Sequence, residues 1–219
     1  MDKKDKPRLI DPHIWMFNLV KITSALPILI SERLKKLYLH GKKPKGFSRK
    51  RIIVCANHRA YWDPVIVCTL LWNRRVQFIA TKELFRNKFS SWFFKRVGAI
   101  RIDRENVGIN TFKNAKKALD RGHVLTIFPE ASVSNQQSIR AFNPGAALMS
   151  LLCEADILPV YIAPRNHWYQ RRVVVIGDRI NPKQYVSSKL PTLTEIQHLT
   201  DIIRQQEIKL KEVYDSWKK

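Results

Sequence analysis

Short apolar, β-branched runs alternate with amphipathic stretches along most of the chain. Residues 51–56 (RIIVCA), 76–80 (VQFIA), 99–102, 123–128 (HVLTIF), 157–162 and 172–176 read as strands. Their nearly continuous apolar character suits strands covered on both faces. Between them, residues 83–97 read as an aromatic-rich helix. Residues 108–121 read as an amphipathic helix stopped by Gly122, and 144–154 as another helix. Residues 193–217 carry Ile196, Leu199, Ile203, Leu210, Val213 and Trp217, a helical period with one weak turn. Strands alternating with helices predict an α/β fold with a mostly parallel sheet covered by helices on both faces. No internal repeat or dividing linker interrupts residues 36–219, which read as one domain.

Residues 1–35 differ. The apolar stretch 14–30 (IWMFNLVKITSALPILI) is 17 residues long and is broken by Lys21 and Pro27. A spanning helix needs about 20 apolar residues. Lys3, Lys4, Lys6 and Arg8 precede it, and Arg33, Lys35 and Lys36 follow; Trp15 and Tyr38 are placed to sit at headgroup level. The pattern predicts a helix, kinked near Pro27, that lies in or dips into one leaflet. A helix buried on the core is the alternative. The charged start, with no small-residue cleavage site after the apolar stretch, argues against a secretory signal.

Composition sharpens this picture at one point. Apolar residues make up 45% and charged residues 26%, which excludes an intrinsically disordered chain. Lys and Arg number 40 against 18 Asp and Glu, a net charge of +22. Self-repulsion of that size has no folding benefit and points to a polyanionic partner. Nucleic acid is one candidate, but the chain has no RRM signature, zinc-finger spacing or basic zipper. The apolar stretch 14–30 would also have no use there, so we expect no nucleic-acid partner. Residues 85–97 (FRNKFSSWFFKRV) mix cations with aromatics as membrane-interface segments do, although the same pattern suits aromatics packed inward under a basic face. Cys55, Cys68 and Cys153 form no CxxC pair and no zinc spacing, and read as free thiols in a reducing compartment.

In sheets of this kind the working groups sit at the carboxyl ends of strands. After the strand at 51–56 comes Asn57-His58-Arg59-Ala60-Tyr61-Trp62-Asp63. A carboxylate five residues after a histidine on a strand-to-helix turn can fix the imidazole tautomer, leaving the other nitrogen as a general base. The same spacing also serves a purely structural cap. After the strand at 123–128 comes Phe128-Pro129-Glu130. That Glu suits catalysis, polyol binding or a helix cap. Arg104, just after the strand at 99–102, can clamp a phosphate or lie idle on the surface.

Taken together, the blocks are more specific. Asn57-His58…Asp63, Gly98…Arg104, Phe128-Pro129-Glu130 and Leu158-Pro159-Val160 follow in order, with 46, 26 and 29 residues from His58 through Arg104 and Glu130 to Pro159. This resembles the PlsC-like 1-acylglycerol-3-phosphate acyltransferase family, with its NHxxxxD, GxxxxxR, FPEGTRS and apolar-Pro-Val blocks. Thr81-Lys82-Glu83-Leu84-Phe85 and Phe142-Asn143-Pro144-Gly145-Ala146 add to the likeness, which covers roughly residues 36–180. The resemblance implies His58 as general base on the acceptor hydroxyl, Asp63 as its orienting partner and Asn57 as a brace. It further implies Arg104 and Lys82 on the acceptor phosphate, Glu130 on the glycerol part, and Pro159 at the site floor and acyl channel. Backbone amides at the turns would stabilise the oxyanion. It implies no cofactor, an acyl-carrier-protein or CoA thioester as co-substrate, membrane lipids as partners, and a peripheral or monotopic place on the cytoplasmic face of a membrane.

One block departs from the pattern. The third-block arginine, implied by the family to touch the acceptor phosphate, is Val133 here. Losing one bidentate partner of a buried phosphate costs on the order of 2–5 kcal/mol. Arg101 or Arg140 can substitute, or the acceptor is another lyso-lipid, an aminolipid or a glycolipid. A non-catalytic lipid-binding member of the family is a third possibility.

Overall fold

The structure is a computed structural model that describes residues 18, 19, 21–23, 33–42, 51–103, 108–130, 139–165, 167, 169–187 and 191–218. Seven strands form one sheet: β1 (Lys35–Tyr38), β2 (Ile52–Ala56), β3 (Val76–Thr81), β4 (Ile100–Ile102), β5 (Val124–Ile127), β6 (Asp156–Ile162) and β7 (Val173–Ile176), in the order β1-β7-β6-β2-β5-β3-β4. Every pairing is parallel except β6 with β7. Helices α1 (Asp63–Leu70), α2 (Lys88–Arg96), α3 (Ile109–Asp120), α4 (Gly145–Cys153) and α5 (Leu193–Lys218) connect and flank the strands. The expected α/β architecture is therefore present.

β2 is buried along its whole length because it is central and covered twice. Its side chains divide by parity. Ile52, Val54 and Ala56 join Ile66, Val67 and Leu70 of α1 on one face. Ile53 and Cys55 face the opposite layer, which contains Ala115 and Leu119 of α3, Met149 and Cys153 of α4, and Leu199, Ile203 and Leu210 of α5. All three cysteines are buried and free.

One expectation changes, and two further features take their form only in the structure. The helix expected over 83–97 is interrupted: a 3-10 turn occupies Lys82–Phe85, and extended Asn87 (φ −88°, ψ 146°) precedes α2. β1 was not legible as a strand, because KKLY is short, basic and at the sheet edge. Lys35 lies 4.3 Å over the Trp217 ring, which ties this edge to the end of α5. The weak turn in the C-terminal pattern is Glu207. It lies on the buried stripe formed by Ile196, Leu199, Thr200, Ile203, Leu210 and Tyr214.

The apolar stretch 14–30 falls mostly outside the described residues. Its described part, residues 18, 19 and 21–23, is helical. Lys21 Nζ donates to the carbonyls of Trp72 (2.6 Å) and Arg74 (3.3 Å), and burial lowers its pKa. No helix among the described residues is long and apolar enough to cross a membrane.

Candidate active site

Strand order creates the site. β2 and β5 are adjacent and parallel, with Cys55 opposite Ile127. His58 and Glu130 each follow these partners by three residues, so the register carries both to the same edge of the sheet. Phe128 stacks on the His58 ring at a centroid distance of 4.3 Å.

The turn after β2 is organised around a single carboxylate. Asp63 is fully buried at the start of α1. Its Oδ2 accepts from the Arg59 amide (2.6 Å), the Ala60 amide (2.8 Å) and His58 Nδ1 (3.0 Å). A carboxylate only accepts, so Nδ1 carries the proton and Nε2 the lone pair. The His58 side chain is 18% exposed, open enough to meet substrate yet held on one side by Asp63 and on a face by Phe128. Two of the amides at this turn are thus committed to Asp63, which leaves them unavailable to an oxyanion.

Asn57 is also buried, and it braces the turn from across the sheet. Its Nδ2 donates to the Ile162 carbonyl (3.1 Å) and its Oδ1 accepts the Ile162 amide (2.7 Å). The side-chain amide continues the β2–β6 ladder past the last backbone pair, Ala56 with Val160.

Glu130 is half-buried. Burial pushes its pKa above the usual carboxylate value; the charges of Arg59 and Arg140, His58 when it is protonated, and the Arg140 backbone amide pull it back down. The chain returns beside it at residues 139–143, where the Asn143 amide donates to the Pro129 carbonyl (3.1 Å). Arg140 thereby joins the His58 and Glu130 cluster.

The other expected residues are placed as follows. Lys82 follows β3 and pairs with Asp103 after β4 at 3.1 Å, so an anion here meets a shared cation. Arg101 is exposed on edge strand β4, two strands from β5. Pro159 is buried opposite Cys55, within β6. A Cβ on Gly177 would come within 2.8 Å of Pro159 Cγ and 3.3 Å of Leu210 Cδ2, which places Pro159 under α5. Arg104 and Val133 lie outside the described residues.

Two residues escaped the sequence reading. Arg59 lies close to buried Tyr161: burial first of all raises the Tyr161 pKa to about 12, and the Arg59 guanidinium pulls it back down. Arg59 sits inside the quoted first block, but only tertiary placement shows that its guanidinium turns inward. Among the described residues no group of three His, Cys, Asp or Glu could hold a metal ion. The arrangement suits proton transfer from a hydroxyl at His58 Nε2, beside a mixed cationic and carboxylate pocket.

The sequence matches the family model described as Acyltransferase over residues 32–163. It is 35% identical over 116 residues to the 1-acyl-sn-glycerol-3-phosphate acyltransferase of Streptococcus pneumoniae, spanning 51% of this chain and 42% of that protein. It is 23% identical over 188 residues to the protein of the same name from Bacillus subtilis, spanning 84% of this chain and 92% of that one. The fold is similar to the crystal structure of the 1-acyl-sn-glycerophosphate (LPA) acyltransferase PlsC from Thermotoga maritima, with a TM-score of 0.63, 15% identity, and coverage of 94% of this chain and 84% of that one.

Proposed function

Because the chain belongs to the acyltransferase family, we propose that it transfers a fatty acyl group from an acyl thioester to the free hydroxyl of 1-acyl-sn-glycerol-3-phosphate. The single observation that carries the reading is the Asp63–His58 hydrogen bond beside Glu130 and Arg140, at the carboxyl edge of β2 and β5. In this mechanism His58 Nε2 removes the hydroxyl proton while the oxygen attacks the thioester carbonyl. As the tetrahedral intermediate collapses, the C–S bond breaks and the thiolate takes the proton back from the imidazolium. The products are an ester and a free thiol, and the enzyme ends as it began.

Arg140 is the phosphate ligand that compensates for Val133. It acts on Glu130, whereas Arg101 lies on the far edge strand. The relatives' names support the phosphate-bearing acceptor. An assay of purified protein with acyl-carrier-protein and CoA thioesters, against a panel of lyso-lipids, tests this. Lysophosphatidic acid should be preferred, and Arg140→Ala should raise its KM about 10-fold or more, as loss of a charge-assisted phosphate contact of about 1.5–3 kcal/mol implies. A preference for a lyso-lipid without a terminal phosphate would refute the acceptor assignment.

The protein works at an anionic membrane surface. α2 buries none of its residues; Phe89 and Trp92 stack at 6.1 Å and are 76% and 44% exposed beside Lys88, Lys95 and Arg96. Phe94 turns partly inward against Phe85, and Phe93 meets Phe94 edge-on. Exposed aromatics among cations suit a lipid headgroup layer, where each cation adds about 1 kcal/mol. Cosedimentation with vesicles should rise with the anionic lipid fraction and fall in a Phe89→Ser/Trp92→Ser variant. Equal binding by this variant and the parent protein would remove α2 from the docking surface.

A further inference from the structure

The connection between β6 and β7 lies at the same edge of the sheet as His58, because β7 returns antiparallel to β6. It leaves β6 at Ile162, whose amide and carbonyl hold the Asn57 side chain. β1 runs parallel to β7, so its first residues start at this edge too. We propose that the cationic surface formed by these two segments is the docking face for an acidic carrier protein that delivers the acyl thioester; this rests on the function proposed above.

The described residues at the start of β1, 33–38, and residues 163–173 contain no Asp or Glu. They carry Arg33, Lys35, Lys36, Arg165, Arg171 and Arg172. The Lys35 amide donates to the Arg172 carbonyl (2.9 Å), which joins the two segments into one surface. Arg33 and Arg171 are exposed; Lys35, Arg165 and Arg172 are half-buried. Like charges gathered in this way repel one another and bring no folding benefit, so the patch calls for a polyanionic partner. Of the two acids on the last turns of α5, Glu212 and Asp215, the second is taken by Lys211 (2.6 Å).

The loop is held in shape by its own hydrogen bonds. Arg172 Nη1 donates to the Ala163 carbonyl (3.1 Å) and the Ala163 amide to the Val173 carbonyl (3.0 Å), which closes its base. Arg165 Nε (3.0 Å) and the Gln170 amide (3.1 Å) both donate to the His167 carbonyl. β6 pairs directly with β2, so the base of the loop is one strand spacing, about 4.8 Å, from the turn that carries His58.

Two features favour a protein over a lipid layer. The exposed rings of this surface are already engaged: Trp217 lies under Lys35 (4.3 Å), and Tyr169 stacks on His167 with 5.2 Å between centroids. The surface therefore offers charge rather than insertable apolar area, which α2 supplies through Phe89 and Trp92. Strand order is the second feature. β6 borders β2 on one side; β5, and then β3 leading to α2, lie on the other. Direct transfer needs hydroxyl and thioester in the site together, and separate flanks let both enter without displacing one another.

The test uses full-length Arg33→Glu/Arg171→Glu, which reverses two exposed cations outside the catalytic cluster. Transfer to lysophosphatidic acid is measured with the same fatty acyl group on acyl carrier protein and on CoA. With the carrier thioester, the variant's donor KM should rise about 10-fold at low salt and far less at high salt, with kcat and acceptor KM at wild-type values. With the CoA thioester, donor KM should change less than about 2-fold. Binding to anionic vesicles should stay nearly unchanged. An equal rise in both donor KM values overturns the proposal and makes the patch a site for the donor's own phosphates. A carrier KM that does not move, or a wild type that accepts only the CoA thioester, overturns it outright. Loss of vesicle binding assigns the surface to lipid instead. If wild type transfers no acyl group at all, the function proposed above fails. Calorimetric titration with the carrier protein still decides the docking face: weaker binding by the variant supports it, and equal binding, or none by wild type, overturns it.

Discussion

His58→Ala is expected to lower kcat by about 10²–10⁴-fold, the usual contribution of a positioned general base. The melting temperature should barely change. Asp63 Oδ2 retains the Arg59 and Ala60 amides, so the turn stays closed after the imidazole is gone. His58→Gln is the sharper control: an amide can still donate to Asp63 but cannot accept and return a proton at neutral pH. Both variants should bind acceptor nearly as well as wild type. The check is single-turnover transfer with saturating thioester, beside a thermal melt. Either variant keeping more than about a tenth of wild-type kcat would remove His58 from the role of base, since that loss falls well short of the range for proton transfer.

Asp63→Ala should fail in a different way. Three donors share Oδ2, two of them backbone amides, and the side chain is wholly buried. Alanine leaves those donors without their acceptor in a dry site. The expected loss is about 2–5 kcal/mol, or roughly 5–20 °C in melting temperature for a domain of this size. Activity should fall as well, because nothing then selects the Nε2 lone pair. Asp63→Asn separates the two effects. Its carbonyl can still accept from the amides, so stability recovers in part, while catalysis stays impaired because the negative charge opposite the imidazolium is gone. A melting curve for Asp63→Ala that overlays wild type would show that the buried carboxylate does not hold the turn.

These two variants probe the part of the site that is local in the chain. His58 and Asp63 are five residues apart, and the strand-to-helix turn between them brings imidazole and carboxylate together with little help from elsewhere. The pair was legible for that reason. Glu130 and Asn57 were legible as residues that follow strands. Their partners were not, because Ile162 lies 105 residues from Asn57, and Arg140 reaches Glu130 only where the chain folds back.

Periodicity alone determined the α/β class, six of the seven strands and the buried stripe of α5, because side-chain parity and helical spacing are local properties of the backbone. The ordered blocks likewise determined the family resemblance. Strand order did not follow from any local pattern, and it decides the chemistry by setting β5 against β2, with Glu130 beside His58. The same order moves Arg101 to an edge and leaves Arg59 and Arg140 as the arginines acting on Glu130. Packing of α5 on the sheet also turns the weak helical turn at Glu207 into a fully buried acid. Charge and burial depend on which distant segments enclose a group, and only the packed sheet with its helices supplies that enclosure.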